Sequence, residues 1–311
     1  MKPPLADRRL TVLAFVLLVV FWSSAFSAIE IGLRYAPPML FAGVRSLIGG
    51  LAMLLVALAW GGRPDFRREW PAYAALAALN VVLFLGFQTY AIMYLPSGSA
   101  AVLIYLQPIL VGLFAYFLLD EPLPAVKVAG LGLGFFGIAV VSAGGFFGEM
   151  PPGASLGVAF GISSAFAWAS GTVYFKRAQE SVSTLWAVAI PFLLGGAVLT
   201  AFGLVVESPA EITWNGPFVA SLLYAAIIGT GLAWLLWLGL VRAGEASRVA
   251  AYIFFVPIVA VLIGALFLGE ALRTSLIVGA VLVVTGIYLV NKQPAASSRP
   301  PPKSKDSQAS G

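Results

Sequence analysis

The chain has 311 residues, of which 60% are hydrophobic and only 10% are charged. Soluble domains carry about 25% charged residues, and a soluble chain of this length could not bury so much apolar surface in one core. The sequence contains no cysteine and no histidine, which excludes disulfides and thiolate metal sites and removes the usual imidazole ligand. We therefore expect an all-α membrane protein without a metal or a cofactor. The net charge of +5 is interpreted as a signal of membrane orientation, and no nucleic-acid partner is expected.

Ten apolar segments are long enough to cross a bilayer as helices, for which roughly 20 residues are needed. In chain order the predicted helices are residues 10–29, 39–60, 72–94, 99–119, 124–143, 154–175, 184–206, 216–240, 249–268 and 274–291. Turn residues such as Pro37-Pro38 and Gly61-Gly62 separate them. The apolar runs are continuous rather than alternating, which excludes a membrane β-barrel.

Lysine and arginine are distributed unequally between the two sides of the membrane. If the N-terminus lies inside, fifteen of the 18 fall in inner segments, Arg34 and Arg273 fall in outer segments, and Arg45 lies within the second helix. Positive residues stay on the cytoplasmic side, so both termini are predicted to be cytoplasmic. Residues 1–9 then form a short cytoplasmic N-terminus, and residues 293–311, rich in Pro, Ser and Lys, form a disordered cytoplasmic tail.

The two halves of the chain repeat each other at a nearly fixed offset. Trp22 precedes Trp168 by 146 residues, and Gly50 precedes Gly196 by the same interval. Further matches at an offset of 149 pair Pro108 with Pro257, Glu121 with Glu270, Gly130 with Gly279, and Gly137 with Gly286. The matches predict a first repeat over residues 10–146 and a second over residues 154–292. Each holds five helices, an odd number, so the second repeat is predicted to lie inverted relative to the first, as in many secondary transporters.

The repeated strings that run from Pro108 to Glu121 and from Pro257 to Glu270 resemble the EamA domain of the drug/metabolite transporter superfamily. The resemblance covers roughly residues 10–291, and within the superfamily the chain is similar to bacterial aromatic amino acid and metabolite exporters. It implies ten helices around a central cavity in the bacterial inner membrane, with a small-molecule substrate and membrane lipid as partners. The sequence has no Gly-x-x-x-x-Gly-Lys-Ser/Thr string, so neither a built-in ATPase nor an ATPase subunit is expected.

Arg45 is the one charged residue placed firmly inside a predicted span, about 10 Å from the start of its helix. It is a candidate contact for a substrate carboxylate. Its alternative role is a structural pair with Glu30, which ends the first helix on the same side of the membrane. The nearness of that carboxylate favours the structural pair.

Aromatic and amide side chains at mid-depth form the rest of the candidate substrate site. The candidates are Trp22, Ser24, Gln88, Tyr90, Tyr105, Trp168, Trp237 and Tyr252, together with Arg45. We expect repeat partners to meet at mid-depth, Trp22 with Trp168 and Gln88 with Trp237. Gln88 and Tyr90 point about 200° apart around their helix, so both cannot fully face one cavity. For each aromatic residue alone, contact with lipid or core packing is the more ordinary role.

Two prolines and two glutamates are predicted to have structural roles. Pro108 and Pro257 each remove one helical hydrogen bond, so they are candidates for hinges that line the cavity or for simple packing bends. Glu121 and Glu270 end the fourth and ninth helices, where a carboxylate favours the N-terminus of the next helix.

Taken together, these features favour a secondary transporter that exports small metabolites, above all aromatic or large neutral amino acids, by alternating access. An enzyme is not expected, because neither His nor Cys is present and no carboxylate pair lies at depth. The alternatives are a lipid-handling enzyme or scramblase and a cationic drug antiporter. Since no acidic residue is placed in the middle of a span, we expect facilitated export or a coupling that uses no central carboxylate.

Overall fold

A computed structural model of the protein describes residues 8–95, 97–142, 152–268 and 274–292. These residues form helices and short connections, and no strand occurs among them. The main helices are α1 Arg8–Leu33, α2 Pro38–Trp60, α3 Phe66–Tyr94, α4 Ser99–Leu118, α5 Ala125–Val141, α6 Ala154–Ala178, α7 Thr184–Val206, α8 Gly216–Ala243, α9 Ala246–Ile263 and α10 Thr274–Asn291. A 3₁₀ turn at Pro209–Glu211 lies between α7 and α8.

Nine of the described helices are long and apolar enough to cross a membrane, and α5 is the shorter tenth. With 17 residues, α5 is about 26 Å long, at the lower end of what spans the hydrocarbon. Each predicted apolar segment overlaps one of these helices. The protein is therefore an all-helical, multi-pass membrane protein.

The start of α3 differs from the sequence prediction by six residues. The helix begins at Phe66 rather than at residue 72, because Asp65 caps it by accepting a hydrogen bond from the backbone N–H of Arg68 at 3.3 Å. The first turn of α3 is polar and exposed, so an apolar-run criterion misses it.

The helix ends lie on two faces of the molecule, of which the one holding the start of α1 and the end of α10 is called the terminal face below. On that face the ammonium of Lys127, at the start of α5, lies 3.0 Å from the carboxylate of Glu245, which precedes α9. On the opposite face the carboxylate of Glu207, after α7, accepts hydrogen bonds at 2.8 Å from the backbone N–H groups of Met39 and Leu40 at the start of α2. These contacts fix α2 and α7 as antiparallel neighbours.

Glycines bring α2 and α7 into close contact. A Cβ atom on Gly50 would lie 2.8 Å from the backbone nitrogen of Leu193, and a Cβ atom on Gly196 would lie 2.8 Å from the backbone nitrogen of Leu47. The two contacts are reciprocal, since each residue of the first contact is 146 positions from its counterpart in the second. Small residues permit such close helix packing within a membrane.

A second pair of glycine contacts joins α5 to α10. A Cβ atom on Gly137 would lie 2.8 Å from the carbonyl oxygen of Gly279, and a Cβ atom on Gly130 would lie 2.7 Å from that of Gly286. These contacts are also reciprocal, at the offset of 149. They explain why the four glycines recur at matched positions in the sequence.

Four helices are interrupted at corresponding places in the two halves. A π-helical segment lies within α3 at Ala77–Leu83 and within α8 at Ala225–Leu232. Such segments often accompany functional sites, because they redirect side chains and leave backbone groups without their helical partners.

The other two interruptions lie just before the paired prolines. The chain makes a turn at Tyr105 before Pro108 in α4, and a 3₁₀ turn at Tyr252–Phe254 before Pro257 in α9. Pro108 has no N–H, so it cannot donate to the carbonyl of Ile104 four residues earlier. Both prolines thus accompany bends, and their role as hinges stays a prediction.

Several sequence predictions lie outside the described residues. Glu270, residues 1–7 of the N-terminus and residues 293–311 of the tail belong to this group. The bounds of the two repeats remain predictions.

Candidate functional site

Two adjoining compartments form a cavity among the helices. The inner compartment has a volume of about 60 Å³ and the outer one of about 230 Å³. Phe26, Ile29, Arg45 and Gln88 line both, so the compartments meet at these side chains. A buried water needs about 10–15 Å³ on this scale, so the space is large enough for the groups of a small metabolite.

The inner compartment has an aromatic wall contributed by five helices. Its aromatic lining residues are Trp22 and Phe26 of α1, Phe84 of α3, Tyr105 of α4, Trp168 of α6 and Trp234 of α8. Arg45 of α2 adds the one charge among the described lining residues. Such a wall offers a large apolar contact area, and the indole and phenol groups supply polar atoms at fixed places.

The outer compartment leads from this wall to the opposite face. Leu33 at the end of α1, Pro38 at the start of α2 and Met93 near the end of α3 line it. On the other side of the inner compartment the side chain of Trp237 is fully buried, with its ring centroid 5.8 Å from that of Trp22. The cavity is therefore approached from the opposite face, and packed aromatic rings lie between it and the terminal face.

Arg45 does not form the predicted pair with Glu30. Its side chain is buried, its Nε atom has no hydrogen-bond partner among the described residues, and none of their carboxylates forms an ion pair with it. Glu30 lies on an exposed part of α1 and pairs at 2.9 Å with Arg34, four residues further along. Arg34, which directly follows the end of α1, reaches Glu30 while both side chains stay exposed, whereas Arg45 lines the cavity.

Five of the predicted site residues meet at the cavity. They are Trp22, Arg45, Gln88, Tyr105 and Trp168. The rings of Trp22 and Trp168 are T-shaped to each other with centroids 5.5 Å apart, so this repeat pair lies together at mid-depth as expected. The indole N–H of Trp22 donates to the carbonyl oxygen of Gly229 at 3.2 Å.

Ser24 and Tyr90 are not among the cavity-lining residues. The hydroxyl of Ser24 is 2.8 Å from that of Tyr224 and also donates back to its own helix. Tyr90 stacks on Phe160 with centroids 5.1 Å apart, while Gln88, two residues earlier on α3, lines both compartments. The two α3 residues point in different directions, as the helical geometry requires.

Tyr252 and Trp237 lie on the terminal side of the cavity. Tyr252 packs against Phe15 with ring centroids 4.2 Å apart, and Trp237 is buried behind the inner compartment. The expected meeting of Gln88 with Trp237 at the cavity does not occur, since Gln88 lines both compartments and Trp237 lines neither. Gln88 lies late in α3, which runs away from the terminal face, and Trp237 lies late in α8, which runs toward it. Two residues that are equally far along oppositely directed helices lie at the same depth only if both are near the middle of the membrane. Trp22 and Trp168 meet this condition, and Gln88 and Trp237 do not.

Among the lining residues that the sequence prediction missed, Trp234, Phe84 and Thr230 are instructive. Trp234 precedes Trp237 by three residues, Phe84 precedes Gln88 by four, and Thr230 lies in the π-helical segment of α8. Spacings of three and four place Trp234 and Phe84 on the same helix side as the predicted site residues Trp237 and Gln88, so the sequence contained the information needed to find them. Thr230 had none, because a π-helical segment changes the angular position of the residues around it.

Glu121 stabilises a helix other than the predicted one. Its carboxylate accepts hydrogen bonds from the backbone N–H groups of Ala246 at 2.6 Å and Ser247 at 3.2 Å, and from the hydroxyl of Ser247. It therefore binds the start of α9 instead of the start of α5, which follows it in the chain. Asp120 takes a left-handed backbone conformation, with φ of 54°, which Asp tolerates better than most residues and which redirects the chain there.

The polar groups at the cavity can bind and orient a ligand. Among the described residues, no group of three or more His, Cys, Asp or Glu side chains could hold a metal ion. The cavity combines the buried guanidinium of Arg45, the indole of Trp168, whose N–H has no partner among the described residues, and the neutral oxygen atoms of Gln88, Tyr105 and Thr230. These groups orient a small ligand with a polar end and an apolar body.

The profile of the EamA-like transporter family matches residues 9–143 and again residues 155–292. The chain belongs to this family. The resemblance predicted from the repeated strings is thereby confirmed, and the chain is a membrane transporter.

This EamA-like transporter is similar to other transporters in sequence and to one solved structure in fold. The uncharacterised transporter YvbV of Bacillus subtilis is 40% identical over 286 residues, which cover 92% of this chain and 93% of YvbV. A Salmonella typhimurium protein named "Probable amino-acid metabolite efflux pump" is 28% identical, over 88% of this chain and 92% of its own length. One crystal structure matches with a TM-score of 0.79 at 23% identity, covering 92% of this chain and 97% of the other, and it shows the shared fold.

Proposed function

We propose that this EamA-like transporter is a secondary transporter that exports small metabolites carrying a carboxylate beside an aromatic or large apolar group. Aromatic and large neutral amino acids belong to this class. The observation that carries the proposal is the buried guanidinium of Arg45, which has no ion-pair partner among the described residues and lies in a cavity walled by Trp22, Phe84 and Trp168. The name of the Salmonella relative, an amino-acid metabolite efflux pump, agrees with the same class.

Alternating access through two inverted five-helix repeats is the proposed mechanism. The reciprocal contacts of Gly50 with Leu193 and of Gly196 with Leu47 support it, since a pseudo-twofold axis between antiparallel repeats produces such exchange. The cavity reaches the opposite face while aromatic packing covers its terminal side. Rocking of one repeat against the other would open the terminal side and close the opposite side.

The proposed location is the bacterial inner membrane, with both termini in the cytoplasm. Arg63, Lys127 and Arg177, which lie at helix ends on the terminal face, are part of the positive excess on that side. The conformation described here is then open to the outside. Reporter domains fused after Asn291 and within the loop at Ser208 should give cytoplasmic and external signals respectively, and signals from the same side would contradict this topology.

A cationic drug antiporter is less consistent with the cavity. Binding a cation in a membrane site generally uses an intramembrane carboxylate. Among the described lining residues of both compartments there is no Asp or Glu, and the one charge, on Arg45, would repel a cation.

Reconstitution tests the proposed function directly. The purified full chain would be placed in liposomes preloaded with unlabelled metabolites, and entry of labelled aromatic and large neutral amino acids, and of aromatic acids, would be measured as counterflow. Saturable exchange of at least one such compound, absent from empty liposomes, is the expected result. Exchange restricted to lipids or organic cations would contradict the proposal.

A further inference from the structure

The partnerless polar atoms at the inner compartment are all of one kind. The Nε atom of Arg45 and the Nε1 atom of Trp168 are buried and have no hydrogen-bond partner among the described residues. Both atoms are donors only. The buried acceptors that also lack partners, on Asn80, Gln107 and Gln179, do not line either compartment. Since Arg45 and Trp168 both line the inner compartment, the polar groups that they bring to it are donors, which favours a ligand that accepts hydrogen bonds.

The charge of the cavity lining also favours an anionic ligand. Arg45 is positive, and no carboxylate is found among the described lining residues. Two carboxylates near the opposite face have other partners: Glu30 pairs with Arg34, and Glu207 accepts from the backbone at the start of α2. A bound anion neutralises the guanidinium, and burying an unpaired charge without it is costly.

An ammonium group has poor partners in this cavity. The carbonyl of Gly229 already accepts from Trp22, and the side-chain oxygens of the inner compartment, on Gln88, Tyr105 and Thr230, are all neutral. Neutral acceptors offset less of the desolvation of an ammonium than a carboxylate would. In an α-amino acid whose carboxylate binds Arg45, the ammonium also lies close to the guanidinium, and like charges repel strongly in a low-dielectric site.

We propose that the cavity selects monocarboxylates that carry an aromatic or large apolar body and no ammonium group, and that it binds them more tightly than amino acids of the same skeleton. The carboxylate accepts hydrogen bonds from Arg45, and the body packs in the inner compartment against Trp22, Phe84 and Trp168. This inference rests on the proposed transport function and narrows its substrate class.

Four probes that share one phenyl-ethyl body test the inference. They are 3-phenylpropanoate, phenylalanine, 3-phenylpropanamide and 2-phenylethylamine, which carry an anionic, a zwitterionic, a neutral and a cationic end. Binding to the detergent-solubilised full chain would be measured by calorimetry, and transport by counterflow in liposomes. We expect 3-phenylpropanoate to bind at least about tenfold more tightly than each of the other three, the size of one hydrogen bond to a charged group.

Variants of Arg45 connect this preference to the cavity. Arg45→Gln should weaken 3-phenylpropanoate binding at least about tenfold and leave 3-phenylpropanamide binding nearly unchanged. Arg45→Lys, which keeps the charge but loses the planar fork, should show an intermediate loss. The matched control is Arg34→Gln, which removes an exposed arginine outside the cavity lining and should leave the binding order intact. Melting temperatures establish that the variants are folded.

The possible outcomes separate this inference from the transport function. Phenylalanine binding as tightly as 3-phenylpropanoate, or more tightly, would overturn the inference and leave a transporter of amino acids standing. A preference for 3-phenylpropanoate that Arg45→Gln and Arg45→Lys both leave unchanged would also overturn it, because the anion would then bind elsewhere. Absence of exchange for every metabolite in the reconstitution panel would contradict the proposed function itself.

Discussion

The carbonyl oxygen of Gly130 in α5 lies 2.6 Å from the place that a Cβ atom on Gly286 in α10 would occupy. Real Cβ atoms do not approach an oxygen so closely, so the two helices depend on hydrogen atoms at these positions. Gly134 adds its backbone nitrogen at 2.6 Å from the same point. The contact explains why glycine, rather than another small residue, occurs at this step of the repeat.

Gly286→Ala is expected to lower the free energy of unfolding by about 1–3 kcal/mol, because the added methyl overpacks the α5–α10 contact. Thermal unfolding in detergent measures the loss. Gly132→Ala is the matched control, since nothing lies within 4 Å of its Cβ position on the same helix pair. That variant should be as stable as the parent or slightly more so, given the better helix propensity of alanine. Equal losses in both variants would show that the close contact is not formed.

Arg45→Gln is expected to leave the melting temperature unchanged or to raise it, while transport falls by at least about tenfold. The reason is that a buried guanidinium without a partner contributes desolvation cost rather than stability. Glu30→Gln should change stability by less than about 1 kcal/mol, because its pair with Arg34 is exposed. It should also leave transport intact.

The double variant of Arg45 and Glu30 provides the control for that prediction. If the two residues do not interact, their effects on the free energy of unfolding add within about 0.5 kcal/mol. A larger coupling energy would show that Arg45 and Glu30 do form a structural pair. Loss of transport in Glu30→Gln, with folding intact, would instead indicate coupling through a carboxylate.

Glu121→Ala is expected to destabilise the closed terminal side by about 1–3 kcal/mol, since two backbone N–H groups at the start of α9 lose their acceptor. The chain contains no cysteine, so one introduced thiol reports access without further changes. In a Val241→Cys background, where the parent side chain is fully buried, Glu121→Ala should increase the rate of thiol labelling. Glu211→Ala, which removes an exposed glutamate on the opposite face, is the control. Unchanged labelling would mean that Glu121 does not hold this side closed.

Replacement of Trp22, Trp168 or Tyr105 by Ala should reduce transport by at least about tenfold in each case, because loss of the ring removes apolar contact area from the inner compartment. Trp60→Ala is the control, since that ring is 77% exposed at the end of α2. Tyr90→Ala separates the sequence prediction from the structure, because Tyr90 stacks on Phe160 away from the cavity and its loss should affect transport less. Normal transport by all three cavity variants would place the substrate elsewhere.

Much of the fold was predictable because its signals are local. A run of about 20 apolar residues between turn residues defines a membrane helix whatever it packs against. Helices α7 and α10 accordingly occur at the predicted bounds, Thr184–Val206 and residues 274–291. The polar first turn of α3 could not be found this way, because its start depends on the Asp65 cap.

The candidate site was predictable only for residues whose depth in the membrane follows from their position in the sequence. Trp22 and Trp168 lie halfway along oppositely directed helices, so their depth agrees whatever the tilt, and their rings meet. Gln88 and Trp237 lie late in their helices, and the opposite directions of α3 and α8 separate them. Counting residues along a helix gives depth, but the direction of the helix decides on which side of the midplane that depth falls.

The sequence by itself determined the family, the number and position of the helices, and the glycine positions that repeat between the halves. Each of these follows from composition or from spacing along one chain. Only the tertiary structure decided that Glu30 pairs with Arg34, that Glu121 binds the start of α9, and that Arg45 is left to the cavity. The physical reason is that a side chain's partner depends on which helix faces it and in what rotation. Those two quantities are set by the close packing of helices that are distant in sequence.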